Sequence, residues 1–179
     1  MTRPPEIDPA RSAWVVRLHV VVDELAAPIA RAQPGALACR EGCAGCCVDG
    51  LTVFEVEAEL LRERYASLLA EGEPAPAGAC AMLDAKGACR VYAHRPYVCR
   101  TQGLPLRWLE EDESGEAFEA RDVCPLNAEA VGALEDAPAS RCWTIGPVEA
   151  RLRERQAAVD GGEGRRVALR SLFATRLPR

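Results

Sequence analysis

Cys39-Arg40-Glu41-Gly42-Cys43-Ala44-Gly45-Cys46-Cys47 places four thiols in nine residues. Thiolates cannot be crowded in this way without a cation, because their charges repel. A metal relieves the repulsion and lowers each thiol pKa by direct coordination. Gly42 and Gly45 are expected to let the backbone take positive φ and turn N–H groups toward sulfur. Cys46 and Cys47 are neighbours, and neighbouring side chains point in different directions. Two arrangements follow. The pair can serve two ions, as in two zinc centres sharing eight thiolates. Alternatively one member binds an iron–sulfur cluster while the other packs or does redox work.

Five more cysteines follow: Cys80, Cys89, Cys99, Cys124 and Cys142. Nine thiols in 179 residues far exceed ordinary usage. The opening Met1-Thr2-Arg3-Pro4-Pro5-Glu6 lacks the apolar core of a signal peptide, so a cytoplasmic location is expected. In a reducing compartment, clustered cysteines indicate metal before disulfide. No stretch approaches the apolar length of a membrane span. At 49% hydrophobic and a net charge of −5, the chain is too apolar for disorder. Aromatics make up only 5%, so the core is thin in large side chains and a metal staple would help it.

The charge is uneven. Residues 151–179 hold eight Arg against Glu154, Asp160 and Glu163, which leaves the rest of the chain strongly acidic. An acidic body is a poor nucleic-acid binder, and no nucleic-acid partner is expected. The basic tail is either a solvated helix face or a docking surface for an acidic protein partner.

The local patterns give an α+β class: several helices plus one or two short hairpins around an irregular, metal-stapled centre. Asp8-Pro9 opens a first helix, with Trp14, Val15, Leu18, Val21, Val22 and Leu25 at helical spacing and a stop between Pro28 and Arg31. Thr52-Val53-Phe54-Glu55 reads as a capping box opening a second helix, with Val56, Leu60, Leu61 and Leu68 on its stripe and Gly72 at its end. Residues 80–92 read as a small hairpin with a cysteine on each arm. Leu106–Leu109 and Glu116–Val123 flank Asp112-Glu113-Ser114-Gly115 as a second. A short helix follows Pro125. Pro147 opens a long helix through Val159, and an amphipathic piece runs from Val167 to Thr175. Three regions result: residues 1–38 as an N-terminal helix, 39–146 as the cysteine-cluster domain, and 147–179 as a basic helical tail packed on or extending from it.

Cys39-x3-Cys43-x2-Cys46-Cys47, then Cys80-x8-Cys89-Arg90-Val91-Tyr92, then Tyr92-Ala93-His94-Arg95-Pro96-Tyr97-Val98-Cys99-Arg100 together resemble the YkgJ-like cysteine-cluster family, the CxxCxxCC zinc- or iron-chelating domain. The resemblance spans about residues 39–124. It implies metal binding without a defined activity. His94 stands where the family commonly has an acidic residue. The late cysteine of the family corresponds to Cys124 or Cys142, and Cys124, before Pro125, is the one we take. The expected ligands are therefore Cys39, Cys43, Cys46, Cys47, Cys80, Cys89, Cys99 and Cys124, with Cys142 spare. Some relatives look like flagellin lysine N-methylases, which makes an enzyme, or a thiol-redox protein, the rival reading. An interaction module with purely structural zinc is a third.

The Cys-x3-Cys-x2-Cys spacing also occurs in radical S-adenosylmethionine loops. The chain lacks the βα alternation of their barrel hosts, and Cys47 is unusual there. Arg100 is expected to compensate the charge of the thiolates, and Arg95 to make a structural contact near the cofactor. Pro96 fixes the turn presenting Cys99, and Tyr92 and Tyr97 are expected to cover the site. His94 is not needed as a ligand, His19 receives no role, and Glu55 is read as a capping residue. No catalytic constellation outside the thiols is legible. Iron is slightly favoured over zinc. Metal and folding are expected to be linked, so that losing Cys43 or Cys99 lowers both.

Overall fold

The computed structural model describes residues 8–40 and 42–174. The opening Met1–Glu6, Glu41 and the expected end at Thr175 lie outside them. Among the described residues there are six α-helices and two small sheets, an α+β arrangement.

α1 (Pro9–Arg31) begins where Asp8 accepts the N–H of Ala10 at 2.9 Å, and runs through Pro28 in its last turn. Val15, Leu18, Val22 and Ala26 form its buried stripe, whereas Val21 and Leu25 are exposed. No described helix is long and apolar enough to cross a membrane.

The capping box at Thr52 does not form. Thr52–Phe54 is instead strand β1, and helix α2 (Glu55–Arg64) starts only at Glu55, with no side-chain cap. The reason lies 114 residues away: Arg166 donates to the Thr52 hydroxyl at 3.2 Å and to its carbonyl at 3.0 Å. After a break at Tyr65, α3 (Ala66–Glu71) ends at Gly72.

α2 separates two cores. Val56 and Leu60 pack with α1 and, further along the chain, with Tyr97, Leu104, Trp143 and Leu152. Ala58 and Leu61 pack with Met82, Val91, Leu169 and Cys80. Its first seven residues, Glu55 to Leu61, are therefore buried all round, three glutamates included. Each glutamate is paired, as buried charge requires: Glu55 with Arg62, Glu59 with Arg11 at 2.8 Å, and Glu57 with the Tyr97 N–H at 2.8 Å.

Residues 80–92 fold back through one antiparallel bridge, Leu83 to Cys89, closed by Asp84, whose carboxylate accepts the N–H groups of Lys86 and Ala88. α4 (Tyr97–Thr101) follows Pro96 and carries Cys99. β2 (Leu106–Glu111) and β3 (Ala117–Asp122) form the second expected hairpin. Asp112 accepts from Ser114 and Glu116, and Gly115 takes φ +83 at the tip. After a 3-10 turn (Pro125–Asn127) and α5 (Ala128–Val131), β4 (Trp143–Thr144) joins β2 in parallel, giving the order β3-β2-β4.

α6 (Pro147–Asp160) buries Val148, Leu152 and Gln156. The expected terminal amphipathic piece is not a helix of that length. It is strand β5 (Arg166–Ala168), paired antiparallel with β1, and a 3-10 turn (Leu169–Leu172). Its arginines work inside the fold. Arg170 binds Asp49 at 2.9 Å and the carbonyls of Ala75 and Ala79, Arg166 pairs with Glu149, and Arg155 lies over Trp14.

Candidate metal centre

The loop between α1 and β1, the fold-back at 80–92 and helix α4 meet around a cavity of about 540 Å³. Cys39, Cys43, Cys46, Cys47, Cys80, Cys89 and Cys99 all line it. α1 contributes Ala26, Ala27 and Ala30, small side chains that leave room beside the cysteine loop. Gly42 takes φ +87, as the loop reading expects. Gly45 does not adopt positive φ; its Cα faces Leu126, where a Cβ would come within 3.3 Å.

The thiols fall into two groups. Cys39 and Cys46 interact electrostatically with each other, with Cys43 and with Cys124. Cys47, Cys89 and Cys99 interact with one another and with Cys80. Cys46 and Cys47 form the seam. Burial, reinforced by neighbouring thiols, raises Cys39, Cys46 and Cys89 above their ordinary value. It pushes Cys47 up to about 12 and Cys99 further still. Burial thus holds the protons on these five thiols, and metal binding must displace them.

The second group is anchored in the fold. The Cys80 N–H donates to the Cys47 carbonyl at 3.0 Å. Cys80 belongs to the second core, with Cys47 and Cys89 packed against it. None of Cys39, Cys43, Cys46 and Cys124 belongs to either core. In the first group Cys39 is exposed, Cys43 and Cys46 are half-buried, and Cys124 is buried and is not part of the cavity lining. Cys142 is buried elsewhere, with Arg121, Glu119 and Arg107 as its charged surroundings and no other thiol.

Cys39 is held by residues the sequence did not point to. Asn127, fully buried, donates from Nδ2 to Cys39 Sγ at 3.2 Å and to the Gly103 carbonyl at 2.7 Å. Its Oδ1 accepts the Ala38 N–H at 2.7 Å. Gly103 has φ +97, and a Cβ there would stand 2.0 Å from Cys39 Sγ. The sequence carries no signal for Asn127. Gly103, just after Cys99-Arg100, was a possible one.

Arg95 and Arg100 both line the cavity, each with its own ties. Arg100 is tied to Asp23 at 2.6 Å and to the carbonyls of Arg95 and Ala93. Arg95 stacks on Tyr92 with 4.3 Å to the ring centre, and with Arg90 it supplies the positive charge beside Cys89. Arg90 is fixed there by the carbonyls of Ala81 and Met82. Tyr92 lines the cavity, but Tyr97 does not cover it. Its hydroxyl accepts the Trp143 indole N–H at 3.0 Å in the first core. His94 contacts Tyr65 through Nδ1 at 2.9 Å, and burial lowers its pKa. His19 is buried 3.5 Å from Glu57.

The donors suit zinc or iron: all are thiols, and guanidinium groups lie within the same wall. Among the described residues, no three His, Cys, Asp or Glu side chains are drawn together as a closed coordination shell. The sulfurs stand as neighbours around shared space.

Residues 38–125 match the model of the CxxCxxCC family, described as a putative zinc- or iron-chelating domain. Eight of the nine cysteines lie in the segment that is similar to this family. No curated protein and no solved structure matches the chain. The match begins one residue before Cys39 and ends one residue after Cys124, so it encloses both thiol groups and leaves Cys142 outside.

Proposed function

We propose that the protein binds two metal ions, each held by four thiolates: one by Cys39, Cys43, Cys46 and Cys124, the other by Cys47, Cys80, Cys89 and Cys99. The observation that carries this reading is the division of eight thiols into two groups of four, with the adjacent pair Cys46-Cys47 at the seam. Two groups of four match two tetrahedral tetrathiolate sites, the coordination zinc prefers in structural centres. One iron–sulfur cluster would use only four of the eight. The grouping therefore favours zinc over the iron that the loop spacing alone suggests. Arg90 and Arg95 offset the charge at the second site.

Metal analysis and an absorption spectrum of the anaerobically purified chain test the reading. Two zinc ions per chain and no visible band are expected. A brown protein with a broad band near ~400 nm, or a single ion, would sink it.

One observation favours an enzyme as a second reading. The cavity of about 540 Å³ is several times the space inside two coordination spheres of ~2.3 Å radius. An enzyme would keep an open position at one ion. Replacement by cobalt(II) separates the two, since four-sulfur sites at both ions favour the structural reading and an exchangeable oxygen ligand favours the enzyme.

A further inference from the structure

The two groups of thiols are embedded differently. Cys80 is 8% exposed and is part of the second core, where Leu61, Met82, Val91 and Leu169 surround it. Cys47 and Cys89 pack on that core, and the Cys47 carbonyl and Cys80 N–H are bonded to each other. Cys89 also forms the bridge to Leu83 that closes the 80–92 fold-back. Three of these four sulfurs are thus tied to the second core, and displacing them disturbs it. In the other group only Cys124, also 8% exposed, is buried, and it belongs to neither core. Cys39 is exposed, Cys43 and Cys46 sit on the surface loop, and the backbone ties within that loop are local turns: Cys43 N–H to Arg40, Cys47 N–H to Ala44. Cys39 is steadied by one neutral amide, Asn127, whereas Arg90 and Arg95 stand beside Cys89.

Resting on the two-ion reading, we infer that the sites differ in role: the Cys47/Cys80/Cys89/Cys99 ion is a permanent part of the fold, and the Cys39/Cys43/Cys46/Cys124 site exchanges its ion with the surroundings. The exchanging site takes a thiophilic divalent ion such as zinc and can give it up or take it back while the fold persists. The chemistry of exchange is ligand substitution. Each Zn–S bond breaks as a competing donor supplies its electron pair, or as a proton takes the thiolate, with no change of oxidation state. Exposure of Cys39 gives the competing donor its point of entry, and the remaining sulfurs then follow one by one.

The test uses the full chain loaded with two zinc ions and mixed with excess EDTA, with released zinc followed by a colorimetric indicator and folding by circular dichroism. Release is expected in two phases of one equivalent each, separated by on the order of 100-fold in rate, because the slow one is limited by unfolding. The circular dichroism signal should hold through the fast phase and fall with the slow one. Cys43→Ser should remove the fast equivalent and keep a melting temperature close to that of the one-ion form, and Cys89→Ser should lose the slow one. Should Cys89→Ser fail to fold, the wild-type traces alone still decide. Both ions leaving in one phase, or the first release unfolding the chain, would overturn the inference while leaving two-ion binding intact. Fewer than two ions on the loaded chain would overturn the two-ion reading and the inference with it.

Discussion

Gly103→Ala isolates the contact that holds Cys39. The new Cβ would lie 2.0 Å from Cys39 Sγ, against an ordinary non-bonded separation of about 3.5–4 Å. The sulfur must retreat by roughly 1.5 Å, or the 97–104 backbone must shift as much. A Zn–S bond is about 2.3 Å with a tolerance of ~0.2 Å, so a retreat of that size removes Cys39 from the shell. The backbone carries its own cost: alanine at φ +97 loses about 1–2 kcal/mol relative to glycine. For a chain of this size that is a fall in melting temperature of about 2–8 °C. The control is Gly115→Ala at the β2–β3 tip, where φ is +83 and a Cβ would meet nothing within 4 Å. It should show the backbone cost and keep both ions. Gly103→Ala should melt lower than the control and retain about one ion. The assay is metal content by plasma emission after gel filtration, with melting followed by circular dichroism on the same samples. If Gly103→Ala kept two ions and wild-type chelation kinetics, Cys39 would not be a ligand of any ion, and the reasoning would fail.

Asn127→Ala should destabilise the chain by about 1–3 kcal/mol in urea unfolding, because it strands the buried Gly103 carbonyl and frees the half-buried Ala38 N–H. Asn127→Asp, which replaces the donor facing Cys39 with a carboxylate, should lower metal retention at that site further. Cys142→Ser should leave metal content unchanged and cost no more than about 1–2 kcal/mol, since its thiol is buried away from the others. The pH dependence of stability should differ between the two forms. In the metal-free chain the raised thiols, Cys47 at about 12 among them, stabilise the fold fully below the unfolded value near 9, and that contribution is lost as pH rises from 9 toward 12. In the zinc-loaded chain protons compete with metal, so stability should climb with pH from 6 to about 8.5. Melting curves of both forms across this range check the opposite slopes.

The convergence of the cysteines was more legible than the scaffold. Thiols announce themselves by residue type and close spacing, and the seven from Cys39 to Cys99 that line the cavity could be picked out without knowledge of distant contacts. α1 and the β2–β3 hairpin were legible for the same reason: Asp8-Pro9 and Asp112 through Gly115 act on their own neighbours. The failures all involve distance. Thr52 satisfies the local pattern of a helix cap, yet Arg166 and the β1–β5 pairing claim it. The same pairing turns the end of the chain from an amphipathic helix into a strand. Tyr97 lies in the cysteine-rich stretch, but Trp143 draws it into the other core. Arg90, Arg95 and Arg100 are indistinguishable as sequence neighbours of cysteine. Asp23, from α1, gives Arg100 an acidic partner at the cavity wall.

The seam at Cys46-Cys47 also sets an order in time. The deeper set of sulfurs is complete once residue 99 has been added to a growing chain, whereas the outer set waits for Cys124. At ribosomal speeds of 5–20 residues per second, that is a delay of about 1–5 s. During it, Cys39, Cys43 and Cys46 form an unfinished three-sulfur nest next to a finished one. If the two-ion arrangement we propose holds, a nascent chain would capture the inner ion first, with the seam peptide already pinned on the Cys47 side. The outer nest would then close onto a prebuilt edge, and β5 would arrive last to clasp β1.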